Sequence, residues 1–475
     1  MPLILGTNSI KDTGFDVANS CRFNVGSNDF LSRTIGTPTD EDKWTFSVWL
    51  KITGEAPSVQ YGILSSGNYP SAYETIHLNG SDQLFYHYND GGGVNHGAAK
   101  YSGIIRDPSA WYNLIVSRNG TAVKIYVNGN DVTTTVTSYN NSTNVINKSG
   151  GTLRIGHSER ETSGRSWNGY MSEVVFCDGQ LLDETSFGEF DSDSGIWKPI
   201  DVSGLTFGNN GFYLDFENSG SLGADVSGNG NNFTVNNLTA ADQTPDTCTN
   251  NFATLNPLGF AGTIPTFSQG NLNVVVGSGA SLYSVPTIGV SSGKWYVEGE
   301  LEAATADGGT YYVDYGFHDR TDSLGQSLYV SDGRMFWLSS WDGKINYRTG
   351  GSTTTGLVTG LATLTPGDFF QLYLDMDNEL MYWGKNGSLL NSTGVSFNGK
   401  ESLTGEYFFA FGDQYTNGSH EYAVNFGQGS IDGTAVSNYN DANGYGSFKY
   451  NPTVTTDEGS KDFLALCTKN LAEYG

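Results

Sequence analysis

Cysteine is scarce in this sequence, with four residues in 475. The four are widely separated, and no two of them form a Cys-x-x-Cys pair or the dense spacing of a disulfide-stabilised small domain. We expect free, buried thiols at Cys21, Cys177, Cys248 and Cys467.

Long apolar runs are also lacking. No stretch approaches the ~20 apolar residues that a membrane-spanning helix needs. The first residues, MPLILGTNSIKD, carry no basic n-region and too short an apolar run for a secretory signal peptide. We expect neither membrane insertion nor Sec-dependent export.

Charged residues are sparse and mostly acidic. They make up 16% of the chain, and 50 Asp and Glu against 24 Lys and Arg give a formal net charge of −26. This charge repels phosphate backbones and anionic lipid surfaces, so we expect no nucleic-acid partner. The scattered carboxylates are typical of a solvated surface, and cation binding is the alternative interpretation.

Glycine, aromatic residues and tight-turn signals are abundant. The chain has 63 Gly and 13% aromatic residues, whereas helical periodicity is limited to residues 181–190 and 463–474. In residues 111–129, WYNLIVSRNGTAVKIYVNG, two β-forming runs meet at Asn119-Gly120 and end at Asn128-Gly129, which predicts consecutive antiparallel strands. The length suits two or three domains, and we predict an all-β fold of antiparallel β-sandwiches.

The stretch 111–129 resembles the central hairpin of laminin-G-like, concanavalin-A-type jelly-roll domains, a family that mostly binds ligands and does not transform them. Residues 21–33 resemble an early strand and turn of the same family, and residues 151–156 and 170–179 resemble its closing strands. The resemblance implies a jelly-roll domain, which we assign to residues 1–240.

The segments GFYLDF (211–216) and ADVSGNGNNFTVNN (224–237) stand in an unexpected order. In one branch of the resembled family, such a strand and loop open the domain, ahead of the segment that matches residues 21–33. We interpret the reversal as a circular permutation in which residues 211–237 close the first sandwich, because chain ends in compact domains often lie close together. A separate small subdomain is the alternative.

The loop after residue 224 places oxygen-bearing side chains at alternate positions among glycines, which suits the oxygen ligands of Ca²⁺. In the resembled family, calcium is completed by an acidic pair that stands here as Ser172-Glu173, so one ligand is missing. We predict calcium as a cofactor, with an Asx-rich turn that binds no metal as the alternative. The predicted ligands are Asp225, Asn229, Asn231 and Glu173.

The run WTFSVWLKI (44–52) alternates, with Trp44, Phe46 and Val48 on the face that we predict to be core. Trp49 projects from the opposite face. It either lines a groove and contacts a ligand or packs beneath a loop.

Residues 241–270 are polar and carry three prolines, so we predict an inter-domain linker along the surface. Residues 291–428 resemble a SPRY domain, another β-sandwich used for protein or glycan recognition. We assign residues 271–430 to this SPRY-like sandwich and residues 431–475 to a C-terminal segment that packs on it. The resemblance rests on GKWY (293–296), GF (316–317), LDMDN (374–378), Trp383 and KNG (385–387).

In the SPRY fold, ligands meet loops at one end of the sandwich. This resemblance implies a set of candidate ligand-binding residues, each of which has a purely structural role as its alternative. Trp341 is the strongest, because turn formers flank it in Ser-Ser-Trp-Asp-Gly-Lys and no strand alternation explains it. The set is His318, Trp337, Trp341, Asp342 and Tyr347, together with Trp49 of the first domain.

Signals of catalysis are lacking. The sequence has no Gly-x-Ser-x-Gly elbow, no His-Glu-x-x-His and no phosphate-binding loop, and its six histidines show no metal-ligand spacing. The Glu-x-Asp-x-x-Glu strand of jelly-roll glycoside hydrolases is absent as well. We therefore expect a protein that is not an enzyme, with a glycan depolymerase whose site lies between subunits as an alternative.

The order of the laminin-G-like domain, the 211–237 segment and the SPRY-like domain resembles tail-fibre-like virion proteins of marine bacteriophages. The resemblance implies a fibre or capsid-attached surface protein, assembled in the host cytoplasm and released by lysis. We expect a homo-oligomer whose partners are host-surface carbohydrate and other virion structural proteins. A purely structural decoration protein is the competing hypothesis.

Overall fold

A computed structural model describes most of the chain as two compact units, which divide between Asn250 and Asn251. Each unit has its own hydrophobic core. The described residues are 13–53, 60–91, 95–133, 136–137, 144–158, 165–258, 264–277, 283–306, 311–319, 334–402, 404–412 and 418–475.

The first unit is built from antiparallel strands joined by turns. Among the described residues of this unit, the 3₁₀ helices Glu184–Ser186 and Ala240–Asp242 interrupt the strands. The strands are β1 (Ser20–Phe23), β2 (Phe30–Thr34), β3 (Lys43–Ile52), β4 (Tyr61–Gly67), β5 (Tyr73–Leu78), β6 (Leu84–Asn89), β7 (Asn95–Lys100), β8 (Trp111–Asn119), β9 (Ala122–Val127), β10 (Asn130–Asp131), β11 (Val136–Thr137), β12 (Thr152–Ile155), β13 (Gly169–Asp178), β14 (Gly188–Phe190), β15 (Trp197–Pro199), β16 (Phe212–Leu214), β17 (Thr234–Asn236) and β18 (Gln243–Thr244).

Most of these strands form two large sheets, and β14 and β15 pair with each other in a separate small sheet. The first has the order β10-β9-β8-β3-β13-β1-β18, with β16 also paired to β13, and the second has the order β11-β7-β6-β5-β4-β12-β2-β17. Alternate residues of both sheets, such as Phe46, Val48, Ile76 and Tyr86, pack into one core. This is the sandwich that the alternating pattern of residues 44–52 predicts.

Residues 211–237 lie within the first unit. Strand β16 pairs with β13 through Phe212 and Phe176, and β17 pairs with β2. The side chains of Phe212, Leu214 and Phe216 are buried in the core of the sandwich.

The predicted linker is wrong as a description of residues 241–270. Residues 243–244 form β18, and Asp246 is fully buried beside Lys51 of β3 at an Nζ to Oδ2 distance of 2.7 Å. The first unit thus continues past residue 240 to Asn250. Ala253, Leu255 and Phe267 enter the core of the second unit, because polar composition does not prevent a segment from pairing its backbone inside a fold.

The second unit is also built from antiparallel strands, and it ends in one short helix. Its elements are β19 (Thr266–Ser268), β20 (Asn273–Val276), β21 (Tyr283–Ser284), β22 (Lys294–Ala304), β23 (Asp314–His318), β24 (Met335–Ser339), β25 (Lys344–Thr349), β26 (Ser352–Val358), β27 (Phe369–Asp375), β28 (Leu380–Lys385), β29 (Ser388–Leu389), β30 (Val395–Ser396), β31 (Phe408–Gly412), β32 (His420–Asn425), β33 (Ser430–Ile431), β34 (Thr434–Ala435), β35 (Tyr439–Asn440), β36 (Ser447–Phe448), β37 (Thr453–Thr456), β38 (Gly459–Asp462) and α1 (Thr468–Tyr474).

Two sheets again enclose a core. One has the order β19-β20-β32-β22-β27-β28-β29, with β30 beside β28, and the other has the order β21-β31-β23-β24-β25-β26. The C-terminal segment adds Leu464, Leu466 and Leu471 to that core. It is also held by the buried Glu298, whose carboxylate accepts the backbone N–H groups of Lys449 and Tyr450.

Helical periodicity is a poor guide in this chain. Residues 181–190 contain only the 3₁₀ turn Glu184–Ser186 and strand β14, and residues 463–474 are helical only from Thr468. Within the described ranges, no helix is long and apolar enough to cross a membrane. The predicted all-β class of antiparallel sandwiches is confirmed.

Candidate functional site

The turn between β24 and β25 carries an exposed aromatic pair. Trp341 is 53% exposed, and its ring stacks on Tyr312 with the centroids 6.1 Å apart and the planes 18° apart. Strands β23 and β24 pair Asp314 with Ser339, so Tyr312 and Trp341 face each other just beyond the end of the ladder. We call residues 340–344 with Tyr312 the Trp341 turn.

The backbone of this turn is fixed on both sides. Ser340 donates its N–H to Val313 at 2.8 Å, and the carbonyl of Gly343 accepts the N–H of Leu361 at 3.0 Å. Gly343 has φ +63°, and a Cβ there would lie 2.3 Å from the Leu361 carbonyl oxygen, so only glycine fits. The exposed ring is therefore held by a rigid support.

Two charged side chains flank the exposed ring. The Nζ of Lys344 donates to Oδ2 of Asp342 at 2.7 Å. The other carboxylate oxygen, Oδ1, is buried and has no hydrogen-bond partner among the described residues. A flat aromatic surface, an unpartnered acceptor and an ammonium donor are thus brought together, an arrangement that suits a ligand carrying hydroxyl groups on an apolar frame.

The structure separates the other predicted residues of this unit. Trp337 is not on a loop but in the middle of β24, where it is 3% exposed and packs with Met335 and Phe408 on the outer face of the sheet. Tyr347 faces the opposite way, into the core. Both predictions of a loop position are wrong because these residues belong to strands, in which successive side chains alternate between the two faces.

His318 ends strand β23 and is half-buried. It pairs with Met335 at the start of β24, whereas Trp341 follows the end of that strand. The two predicted residues therefore lie at opposite ends of one strand pair, and the structure does not bring them into one site.

Trp49 is covered, not exposed in a groove. It is 4% exposed and packs with Trp111, Tyr170 and Trp197. Trp197 comes from β15, and its Nε1 donates to Asn113 at 3.1 Å, which fixes the cover over the sheet. The predicted ligand-binding role of Trp49 is contradicted, and its alternative, packing beneath another segment, describes what is observed.

The predicted calcium loop is closed by its own hydrogen bonds. Asp225 accepts the N–H of Tyr213 and of Ser227 on Oδ1, and that of Asn231 on Oδ2, at 2.7 to 3.0 Å. The Oδ1 of Asn231 accepts from the guanidinium of Arg33 at 2.7 Å, so a cation already lies against the loop.

The remaining predicted ligands are engaged elsewhere. The side-chain amide nitrogen of Asn229 donates hydrogen bonds to the carbonyl oxygens of Gly208 and Gly211. Glu173 is buried and accepts the hydroxyl of Tyr213 at 2.7 Å. In the described part of the chain, no group of three or more His, Cys, Asp or Glu side chains is placed to hold a metal ion. Because Ca²⁺ takes about six to eight oxygen ligands, these residues do not fit a calcium site.

Sequence reasoning missed Tyr312 and Lys344. Lys344 stands two residues after Asp342, a spacing that brings charged side chains to one face of an extended chain. Tyr312 could be found only from the register of β23 against β24, because the pairing strands are separated by residues 319–334.

Residues 26–185, inside the first unit, match the profile of a laminin-G family described as the concanavalin A-like lectin/glucanases superfamily. The first unit is a laminin-G-like, concanavalin-A-type jelly roll. Curated proteins provide no match to this chain.

Solved structures that match this chain include a SPRY domain of human HERC1, at 18% identity and TM-score 0.29, covering 36% of this chain and 96% of that one. Domains LG4-5 of the mouse laminin alpha1 chain match at 11% identity and TM-score 0.31, covering 86% of this chain and 82% of that one. The Ruminococcus gnavus sialidase module CBM40 bound to α2,3-sialyllactose matches at 14% identity and TM-score 0.25, covering 34% and 96%.

Proposed function

We propose that this chain is a non-catalytic glycan-binding protein and that the Trp341 turn contacts the sugar. The observation that carries the proposal is a solvent-exposed Trp341 stacked on Tyr312 beside an unpartnered carboxylate oxygen of Asp342. An exposed tryptophan held this rigidly contributes nothing to the core. A binding role explains why it is displayed.

The chemistry of the turn favours a sugar over other ligands. The face of Trp341 packs against the C–H groups of a pyranose ring. Rotation of the Asp342 side chain brings its Oδ1, which is buried in the free protein, to a sugar hydroxyl that donates to it. Lys344 donates to a second hydroxyl while it remains paired with Asp342. A mostly preformed site of this kind needs little rearrangement on binding.

We also propose that the protein acts on the surface of a virion, as a fibre or a capsid-attached appendage. The order of its domains supports this proposal, because it resembles that of tail-fibre-like phage proteins. In this setting the ligand is host-surface carbohydrate, the other partners are neighbouring virion proteins, and the chain assembles as a homo-oligomer in the host cytoplasm before lysis.

The test is a glycan array probed with the full chain, followed by titration of the best glycan. Trp341→Ala should weaken binding at least about tenfold, as expected for a central aromatic contact, with the melting temperature unchanged. Tyr439→Ala is the matched control, since Tyr439 is an exposed aromatic residue in the same unit.

Three results would contradict parts of the proposal. No binding to any glycan favours a structural decoration protein. Release of reducing ends from a bound polysaccharide identifies a depolymerase. A Trp341→Ala variant that melts several degrees lower but binds unchanged assigns Trp341 to folding.

A further inference from the structure

The outer face of one sheet in the second unit carries four carboxylates close together. Glu300 of β22 is half-buried on the face opposite the core residue Leu301. A register shift against β32 follows Leu301 and places Glu302 in a β-bulge, which redirects its side chain. Glu421 of β32 and Asp432 of the turn between β33 and β34 both act on the charge of Glu302, so they lie near it. We call Glu300, Glu302, Glu421 and Asp432 the carboxylate cluster.

The carboxylate cluster has little positive charge to balance it. Within the described ranges none of its members forms an ion pair, and the ion pairs of this unit join other residues. Burial raises the pKa of Glu300 and Lys449 partly offsets this, but the ammonium of Lys449 lies over Phe369, 3.3 Å from the ring centroid. Burial raises the pKa of Glu302 to about 7, and the charges of the other three members add to the effect. The cluster therefore favours a ligand that brings positive charge.

A buried amide that points into the cluster lacks a donor. Asn273 is 2% exposed, and its Nδ2 donates to Oδ1 of Asp432 at 2.7 Å, while its own Oδ1 has no hydrogen-bond partner among the described residues. The same is true of one buried oxygen of Glu302 and of the Oε1 of Gln269. Gln269 lies beside the Asp432 turn, because a Cβ on Gly433 would be 3.6 Å from that Oε1. Buried polar groups are normally paired, and all three atoms are acceptors, so the missing partner is a donor.

The placement of these acceptors distinguishes an organic cation from a metal ion. In the described part of the chain, no group of three or more His, Cys, Asp or Glu side chains is placed around one metal ion. A guanidinium spreads five N–H donors over a planar fork, so it reaches acceptors that stand apart. It also stays charged over the whole pH range in which carboxylates ionise.

We infer that the carboxylate cluster binds the guanidinium of an arginine on a partner polypeptide. Asp432 is exposed, and among the described residues only its Oδ1 is engaged, so its Oδ2 accepts one N–H of the guanidinium. The half-buried Glu302 rotates to accept a second N–H. A water molecule that enters with the ligand donates to the buried Oδ1 of Asn273. A single exposed ion pair binds weakly, so the arginine needs the further contacts that a polypeptide makes around it.

The experiment uses the full chain and the peptide trifluoroacetyl-Gly-Arg-Gly-amide, whose ¹⁹F signal broadens when it binds. Peptides with lysine or citrulline in place of arginine are the comparison probes. At low ionic strength the arginine peptide should bind, the lysine peptide should bind more weakly because it lacks the fork, and the uncharged citrulline peptide should not bind.

Two isosteric variants test the cluster. Glu302→Gln and Asp432→Asn should each weaken binding of the arginine peptide about tenfold, as expected for a charged hydrogen bond, with the melting temperature not lowered. Asp457→Asn is the matched control, since Asp457 is an exposed carboxylate of the same unit, and it should leave the affinity unchanged. Trp341→Ala should also leave it unchanged, so this site and the proposed sugar site can fail separately.

A pH series gives a second measurement that general attraction to an acidic protein does not reproduce. Because Glu302 loses its proton near pH 7 and the guanidinium does not titrate, affinity should rise as the pH is raised from about 6 to about 8. The rise should be absent in Glu302→Gln.

Four results would overturn the inference. The first is equal binding of the arginine and citrulline peptides, and the second is an equal loss of affinity in Asp457→Asn and Asp432→Asn. The third is binding of free methylguanidinium as tightly as the peptide, which would identify a small-molecule ligand. The fourth is calcium binding that competes with the peptide and disappears in Glu302→Gln, which would identify a metal site.

Discussion

At the scale of single residues, several carboxylates of this acidic chain are buried and accept hydrogen bonds, and do not lie on the surface. They accept backbone N–H groups of segments distant in sequence and so fix loops onto the sandwiches. A solvated surface was the expected place for them, but buried carboxylates accept such bonds at Glu74 from Val145 and Ile146, at Asp178 from Thr39 and Asn210, and at Glu298 from Lys449 and Tyr450.

Glu173 shows the opposite behaviour and leads to a prediction about pH. It lies in a β-bulge of β13 at φ +49°, and burial raises its pKa to about 8, with the nearby carboxylate of Asp215 adding to the effect. In the unfolded chain the pKa of a glutamate is about 4.3. Between this value and the pKa of the folded state, the side chain is ionised in the unfolded chain but stays protonated in the fold. Stability of the first unit should therefore fall as pH rises from about 4.3 to about 8, by at most ~1.4 kcal/mol per pH unit.

Glu173→Gln should flatten this pH dependence and be more stable than the wild type at pH 8.5. Denaturant unfolding at several pH values measures the effect. Glu189→Gln, at an exposed residue of the same unit, serves as the control and should leave the curve unchanged. Equal slopes for wild type and Glu173→Gln would show that Glu173 titrates normally in the fold.

Asp225 leads to a prediction about calcium. Because its two oxygens already accept three backbone N–H groups and Arg33 supplies the nearby positive charge, we expect no heat when calcium is titrated into chelator-treated protein. Asp225→Asn should instead lower the stability of the first unit by about 1 to 3 kcal/mol, with or without calcium. A calcium-dependent melting temperature in the wild type that Asp225→Asn removes would restore the metal site.

At the scale of elements, alternation within a strand is readable from the sequence, but what covers its outer face is not. The inward residues Trp44, Phe46 and Val48 lie in the core as predicted. The burial of Trp49 could not be predicted in this way, because Trp197, which packs against it, lies 148 residues later in the chain. The same limit applies to the Trp341 turn, where local turn formers point to the exposed ring but the register of distant strands supplies Tyr312.

Polar segments illustrate a second limit of sequence reasoning. Residues 241–270 read as a surface linker because they are rich in Thr, Asn and Pro, yet Thr247 and Asn250 exchange backbone hydrogen bonds and Asn256 is fully buried. Composition indicates how much apolar area a segment can bury, not whether its backbone pairs inside a fold.

At the scale of the whole molecule, a buried ion pair is one of the contacts that attach residues 241–250 to the first unit. Lys51 and Asp246 are 1% and 0% exposed, and Trp111 also donates its Nε1 to Asp246 at 3.2 Å. Removing one partner of a buried pair leaves an uncompensated charge, which costs about 3 to 5 kcal/mol. Residues 241–250 are thus needed by the first unit even though they add little to its apolar core.

A truncation series tests this division. A chain ending at residue 250 should unfold cooperatively, and one ending at residue 240 should fold but melt lower, because the buried Lys51 and Arg22 both lose their carboxylate partners, Asp246 and Asp242. A chain ending at residue 204 also loses Phe212, Leu214 and Phe216, each worth roughly 1.5 to 3 kcal/mol when buried, against a domain stability of about 5 to 15 kcal/mol. It should be insoluble or lack a cooperative transition. Asp246→Asn in the 250-residue chain is the matched control and should reproduce the part of the loss seen at 240 that comes from Lys51. If the 204-residue chain instead melted as high and as sharply as the longest one, residues 211–250 would not be part of the first folding unit, and the permutation would lose its support.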